Sequence, residues 1–160
     1  MRGQTEVLRV RKQNVVVDLA LAGVSPRRME LFLPEQPTSE DRRAQVLHLV
    51  EKGLTFLPAR DSASGSWEII NRNAVLWIRI SMEDLGALGE DADELFEFRQ
   101  KVRVDLMSGA PLDGELLYSA QEQETRVTDY MNIEGRFFRL WREDDVYLVN
   151  KSFVLRVIEN

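Results

Sequence analysis

The feature that most constrains this chain is that it repeats itself. Asn14-Val15-Val16-Val17-Asp18-Leu19 is matched by Lys101-Val102-Arg103-Val104-Asp105-Leu106, sharing Val-x-Val-Asp-Leu, and a glycine follows in each case, Gly23 and Gly109. Met29-Glu30-Leu31-Phe32-Leu33 is matched by Gly114-Glu115-Leu116-Leu117-Tyr118. Ile69-Ile70-Asn71-Arg72 is matched by Leu148-Val149-Asn150-Lys151, and Val75 and Ile78 by Val154 and Val157. The offsets are 87, 85 and 79 residues, drifting as loops change length while strands do not. Four blocks in one order define two copies of a short β-rich unit.

Each block predicts a strand. Residues 15–21 and 102–107 are β-branched or aliphatic, and 43–50 and 126–131 are short mixed runs followed by Gly53 and Gly135. Phe56-Leu57 and Phe137-Phe138 open a further apolar segment; 67–71 and 147–150 precede two polar residues and a final strand, 75–80 or 153–158. Five or six short strands per copy, bounded by Gly, Pro, Asn and Asp, with short connections, predict antiparallel meanders. The predicted organisation is a basic arm over 1–13, a first repeat over 14–80, an acidic linker over 81–100 and a second repeat over 101–160. A copy of about 60 residues buries little surface alone. Closure into a small barrel, or packing of copy on copy, is expected to cover its edges, with Trp67, Trp77 and Trp141 as core or repeat–repeat contacts.

Composition removes most chemistry. The chain of 160 residues has no cysteine and one histidine, which excludes disulfides, thiolate nucleophiles and multi-histidine metal sites and suits a reducing compartment. No apolar run approaches the ~20 residues that cross a bilayer, and 1–13 has no apolar stretch of a secretory signal. The net charge of −6 is distributed as +3 over 1–13, 0 over 14–80, −6 over 81–100 and −3 over 101–160. No segment after the arm carries the basic excess of a phosphate-backbone binder. The linker predicts one or two short helical turns, opened by Ser81 with Asp84 and weakened by Gly86 and Gly89.

Single residues add little. His48, between Leu47 and Leu49, reads as an exposed strand histidine. Glu143-Asp144-Asp145 reads as a solvated turn and lacks the spacing of a calcium loop. No glycine-rich phosphate loop is present, and Ser62-Ala63-Ser64-Gly65-Ser66 is a hairpin tip. Arg136-Phe137-Phe138-Arg139-Leu140-Trp141-Arg142 alternates so that both faces are mixed, giving no continuous stacking strip. Asn71 and Asn150 each stand before a basic residue and the final strand. Asparagine tolerates φ > 0 and can bond its own backbone, so a tight turn is expected at both, with Asn150→Gly nearly neutral.

The second copy resembles the Sm-like group of small SH3-type barrels. The stretches that carry the resemblance are Val102-Arg103-Val104-Asp105-Leu106, Gly114-Glu115-Leu116, Asp129-Tyr130-Met131-Asn132 and residues 149–157. The spacing from Gly114 to Asp129 is longer than in that family, the turn at Asn150-Lys151 has no glycine, and the first copy lacks the Asp and Asn. Phe56-Leu57-Pro58-Ala59-Arg60-Asp61 with Ile70-Asn71-Arg72 also resembles short bacterial β domains of unassigned function. The resemblance implies an all-β fold of two tandem small antiparallel barrels with candidate binding residues Asp129, Asn132, Asn150, Lys151 and, at the equivalent turn, Arg72. No catalytic residue, metal or cofactor is expected. The function expected is a non-enzymatic binding or assembly module for a protein partner in a bacterial cytoplasm. A single-stranded RNA binder of Sm-like type is the alternative, and a small enzyme comes third. Partner identity and oligomeric state stay open.

Overall fold

The computed structural model describes residues 12–34, 42–81, 98–118 and 126–160; the acidic stretch 82–97, including its expected helical turns, lies outside them, as does most of the basic arm. The strands are β1 (Lys12–Leu21), β2 (Arg27–Pro34), β3 (Phe56–Asp61), β4 (Trp67–Asn71) and β5 (Val75–Ser81), then β6 (Phe98–Leu106), β7 (Leu112–Tyr118), β8 (Phe137–Arg142), β9 (Asp145–Asn150) and β10 (Val154–Glu159). Helix α1 (Arg42–Lys52) lies between β2 and β3, and α2 (Val127–Met131) between β7 and β8. A one-turn 3₁₀ helix precedes β5 (Arg72–Ala74) and β10 (Lys151–Phe153). The element order of residues 12–81 thus recurs over 98–159, and β6 begins at Phe98, inside the stretch assigned to the linker.

All ten strands join one antiparallel sheet, ordered β10-β6-β7-β8-β9-β5-β1-β2-β3-β4. This replaces the expected pair of closed barrels. Within each half the last strand pairs the first, but the half does not close on its own fourth strand. Instead β9 of the second half takes the free edge of β5, with Ile78 opposite Leu148 and Ile80 opposite Val146. Among the described residues the sheet therefore stays open, with β10 and β4 as its two edges.

The register of the halves differs from the sequence match. Leu19 lies opposite Ile78 in β5, and Val104 lies opposite Val157 in β10. Leu19, not Val17, thus holds the ladder place of Val104, two residues from the shared Val-x-Val-Asp-Leu. A slip of two keeps every side chain on its face, so the hydrophobic pattern cannot detect it. The pairing of Asn71 with Asn150 holds: each opens its 3₁₀ turn with nearly the same backbone angles.

Residues 43–50 and 126–131, expected as strands, lie largely in α1 and α2. In α1, Val46 and Val50 are buried while His48 is exposed, the i, i+4 pattern of a helix rather than period 2. Gly53 ends the helix where a Cβ would strike the Leu49 carbonyl.

Two apolar clusters form the core. One joins Val15, Val17 and Leu19 with Leu31, Val46, Val50, Ile70, Ile78 and Ile80, and it includes Leu117, Phe137, Trp141, Val146 and Leu148 from the second half. The other joins Val102, Val104, Leu116, Phe138, Leu140 and Val149, with Trp77 from the first half packed against it. Each half thus lends residues to the other's core. Trp77 meets Tyr147 edge-on at 5.1 Å, and Trp141 is buried, whereas Trp67 is exposed against expectation.

Candidate interaction surface

The residues singled out from the sequence are largely engaged in holding the fold. The Asn150 Oδ1 accepts from Ser152 N at 3.0 Å, capping the 3₁₀ turn, and its Nδ2 donates to the Val75 carbonyl at 2.9 Å across the two halves. The Asn71 Oδ1 caps its own turn through Asn73 N at 2.9 Å. Both asparagines have φ of −75°, so the expected φ > 0 turn is corrected: these side chains are caps, and glycine would supply none. Lys151 Nζ donates to the Ile133 carbonyl at 2.6 Å, and Arg72 Nη1 donates to the Gly53 carbonyl. Each basic residue after the asparagine therefore ties down the loop between helix and strand in its own half. Burial pulls the Lys151 ammonium below its usual pKa, opposed by the Glu51 carboxylate. Asp129 pairs with Arg126 at 3.2 Å, and the Asn132 Nδ2 caps Thr128 at 2.9 Å. Asp129, Asn132 and Lys151 meet around the α2–β8 loop, Arg72 lies at the matching loop of the first half, and Asn150 is turned inward.

The other candidates are likewise occupied. Asp145 accepts from Arg79 Nε at 2.8 Å, and Arg79 also reaches Asp18 at 2.9 Å, so this carboxylate belongs to the junction between halves. Phe137, Phe138, Leu140 and Trp141 are all buried, so the arginine–aromatic strand offers no stacking surface. Among the described residues no group of three His, Asp or Glu could hold a metal ion, and no helix is long and apolar enough to cross a membrane.

Sequence reasoning missed Glu51. From the last turn of α1 its carboxylate accepts the N–H groups of Arg136 at 2.8 Å and Phe137 at 2.6 Å, clasping the start of β8. Arg136 Nη1 in turn donates to Asn73 Oδ1 at 3.1 Å. No local motif marks Glu51; its role arises only when α1 meets β8.

The most unusual surface is the sheet edge at β4. Trp67 and Ile69 project from the same face of this edge strand, beside Phe56 of β3, and all three are exposed. Trp67 stacks on Phe32 at 4.9 Å, with the Arg60 guanidinium 6.0 Å from its ring. On the other face Arg27 grips Glu68 with two hydrogen bonds, 2.7 and 2.8 Å, and Asp61 with one at 3.1 Å. Asp61 also accepts from Ala63 N and Ser64 N, fixing the β3–β4 turn. These backbone donors, then Arg27, hold the Asp61 carboxyl below the usual carboxylate range; Arg27 does so chiefly for Glu68. The edge is therefore a rigid strand whose apolar side chains face solvent. Exposed edges normally carry charges or prolines that block pairing, and an apolar edge patch marks an interaction site.

Comparisons of the chain with protein-family models, with curated proteins and with solved structures return no match.

Proposed function

We propose that this chain is a non-enzymatic binding and assembly module, built from two copies of one β unit, that engages protein through the β4 edge. The observation that carries this reading is that Trp67 and Ile69 of β4, with Phe56 beside them on β3, are exposed at a strand whose outer edge has no partner among the described residues. Main-chain groups of such a strand supply affinity by strand addition, and the alternate side chains supply selectivity. The recurring order of elements in the two halves supports the duplication. A reducing cytoplasm suits a chain without cysteine. The RNA alternative is weakened because Asn150 is inside and Lys151 is spent on a carbonyl.

The test is retention of cell proteins on the immobilised chain, compared with Ile69→Lys, with captured material identified by mass spectrometry and stained for nucleic acid. The reading expects proteins held by the natural chain and lost from Ile69→Lys. Equal retention by both, or capture dominated by RNA, overturns it.

A further inference from the structure

The occupant of the β4 edge can be named from the junction inside the molecule. We propose that it is the β10 edge of a second copy of this chain, joined head to tail as β9 joins β5. This rests on the reading of β4 as the binding edge and supplies its partner.

The junction uses a fourth strand, β9, against a fifth strand, β5. Among the described residues, the two strands that keep a free edge at the ends of the sheet are the other fourth strand, β4, and the other fifth strand, β10. The same pair of edges is thus used once within the chain and offered once outside it. Carrying Asn71 onto Asn150 and Val75 onto Val154 transposes the internal register directly. Ile78 opposite Leu148 becomes Val157 opposite Ile69, and Ile80 opposite Val146 becomes Glu159 opposite Trp67.

Burial follows this equivalence on both sides. Leu148 is 0% exposed inside the junction, whereas Ile69, in its place on β4, is 77% exposed. Leu76 of β5 is 3% exposed, lying against the Gly109 turn of the other half, whereas Leu155 of β10 is 64% exposed. Phe56 faces Asn71 as Phe137 faces Asn150, yet only Phe137 is covered. In the first half the core is completed by Phe137, Val146 and Leu148 from the second; Phe56, Trp67 and Ile69 are the side chains a following copy would bring to the second core. The asparagines agree. Asn150 Nδ2 spans the junction to the Val75 carbonyl, while the exposed Asn71 Nδ2 has no acceptor among the described residues. The transposed partner is the Val154 carbonyl.

The transposed junction is weaker than the internal one. Arg79 and Asp145, which bridge the halves, are replaced by Ile158 and Ser66. The Glu51 clasp has no counterpart at the end of α2, where the chain reads Tyr130-Met131-Asn132. The contact is therefore reversible and concentration-dependent. Because its two surfaces differ, each chain offers one of each, and association is heterologous rather than two-fold symmetric.

The experiment is sedimentation of the full chain, of Ile69→Lys, of Leu155→Lys and of their equimolar mixture, up to roughly 1 mM, the weak end of specific binding. Both side chains are exposed, so melting of the variants should match the natural chain. The natural chain should rise above its 18.5 kDa monomer mass with concentration. Each variant alone should stay monomeric. The mixture should regain a mass doubled and no larger, because one intact β10 meets one intact β4. A natural chain that stays monomeric, a mixture that stays monomeric, or Leu155→Lys associating by itself overturns the proposal. If the natural chain is monomeric yet holds cell proteins that Ile69→Lys loses, the module reading stands and only the second copy falls. If it holds none, both fall.

Discussion

Asn150 and Asn71 stand at the same place in the two halves, which makes them an internal control on each other. Replacing Asn150 by Ala removes the cap on Ser152 N and leaves the Val75 carbonyl without its donor at a buried position. A cap of this kind contributes about 1 kcal/mol, and an acceptor left unpaired inside costs about 1–3 kcal/mol. The expected loss is therefore about 2–4 kcal/mol. Asn71→Ala removes only an exposed cap on Asn73 N, with an expected loss of about 0.5–1 kcal/mol. Asn150→Asp keeps the cap acceptor but turns a carboxylate oxygen toward the Val75 carbonyl at a buried position, so it should cost at least as much as Asn150→Ala. Urea unfolding followed by far-UV circular dichroism measures all three, with the midpoint shift multiplied by an unchanged slope giving the difference. In a chain of this size each kcal/mol moves the melting temperature by about 2–4 °C, a second readout. Equal losses at Asn150 and Asn71 would refute the junction bond. An Asn150→Gly variant as stable as the natural chain would refute the cap, since glycine can supply backbone freedom but no side-chain acceptor.

Three further perturbations test the frame around the junction. Glu51→Ala should destabilise by about 1.5–3 kcal/mol, the range for hydrogen bonds to a charged group, and amide exchange at Phe137 should accelerate more than at residues of β2. Gly114→Ala would place a Cβ 2.6 Å from the Trp141 carbonyl and 2.8 Å from Leu140 Cγ, so it should cost about 1–3 kcal/mol by overpacking, with loss of the β7–β8 ladder in exchange data. Glu68, Asp61 and Asp105 are held below the usual carboxylate range, Glu68 by Arg27 and Asp105 by Arg156 and Arg103. The stability they lend is complete above about pH 4.3, the unfolded carboxylate range, and is lost as pH falls through their lower folded values. Melting temperature against pH should therefore drop less steeply on the acid side in Arg27→Met than in the natural chain.

The strands were legible because apolar runs bounded by turn residues have few other uses, and each of the described strands overlaps one of the expected runs, such as 15–21 and 75–80. Helix α1 was not, because Val46-Leu47-His48-Leu49-Val50 satisfies alternation and an i, i+4 pattern alike, and only burial of Val46 and Val50 with exposure of His48 separates them. The register slip at Val17 escaped for the same reason: a two-residue shift leaves the faces unchanged. Asn71 and Asn150 were rightly matched, and each does bond the local backbone as expected, but without the φ > 0 turn. Turn and cap both favour asparagine, and the backbone angle that distinguishes them is not written in the residue type. The barrel expectation failed at longer range. Local pattern says that β4 and β5 each have an open edge, but not which edge fills it.

A half whose fourth and fifth strands each keep one open edge is not completed by a single junction with the other half. The two halves make one β9–β5 contact and, among the described residues, leave one edge of β4 and one of β10 open. The two halves differ where the contact is made. Arg79, Asp145 and Glu51 add ion pairs and clasps at the covered junction, and the corresponding places at the free ends lack them. A free edge under pressure only to stay solitary would be expected to carry charge at its outward positions. β4 instead carries Trp67 and Ile69 there, the same kind of side chain that Val146 and Leu148 bury in the junction. The free ends thus lack the polar reinforcements of the junction and keep its kind of apolar side chain, the combination that the proposed reversible contact between molecules requires.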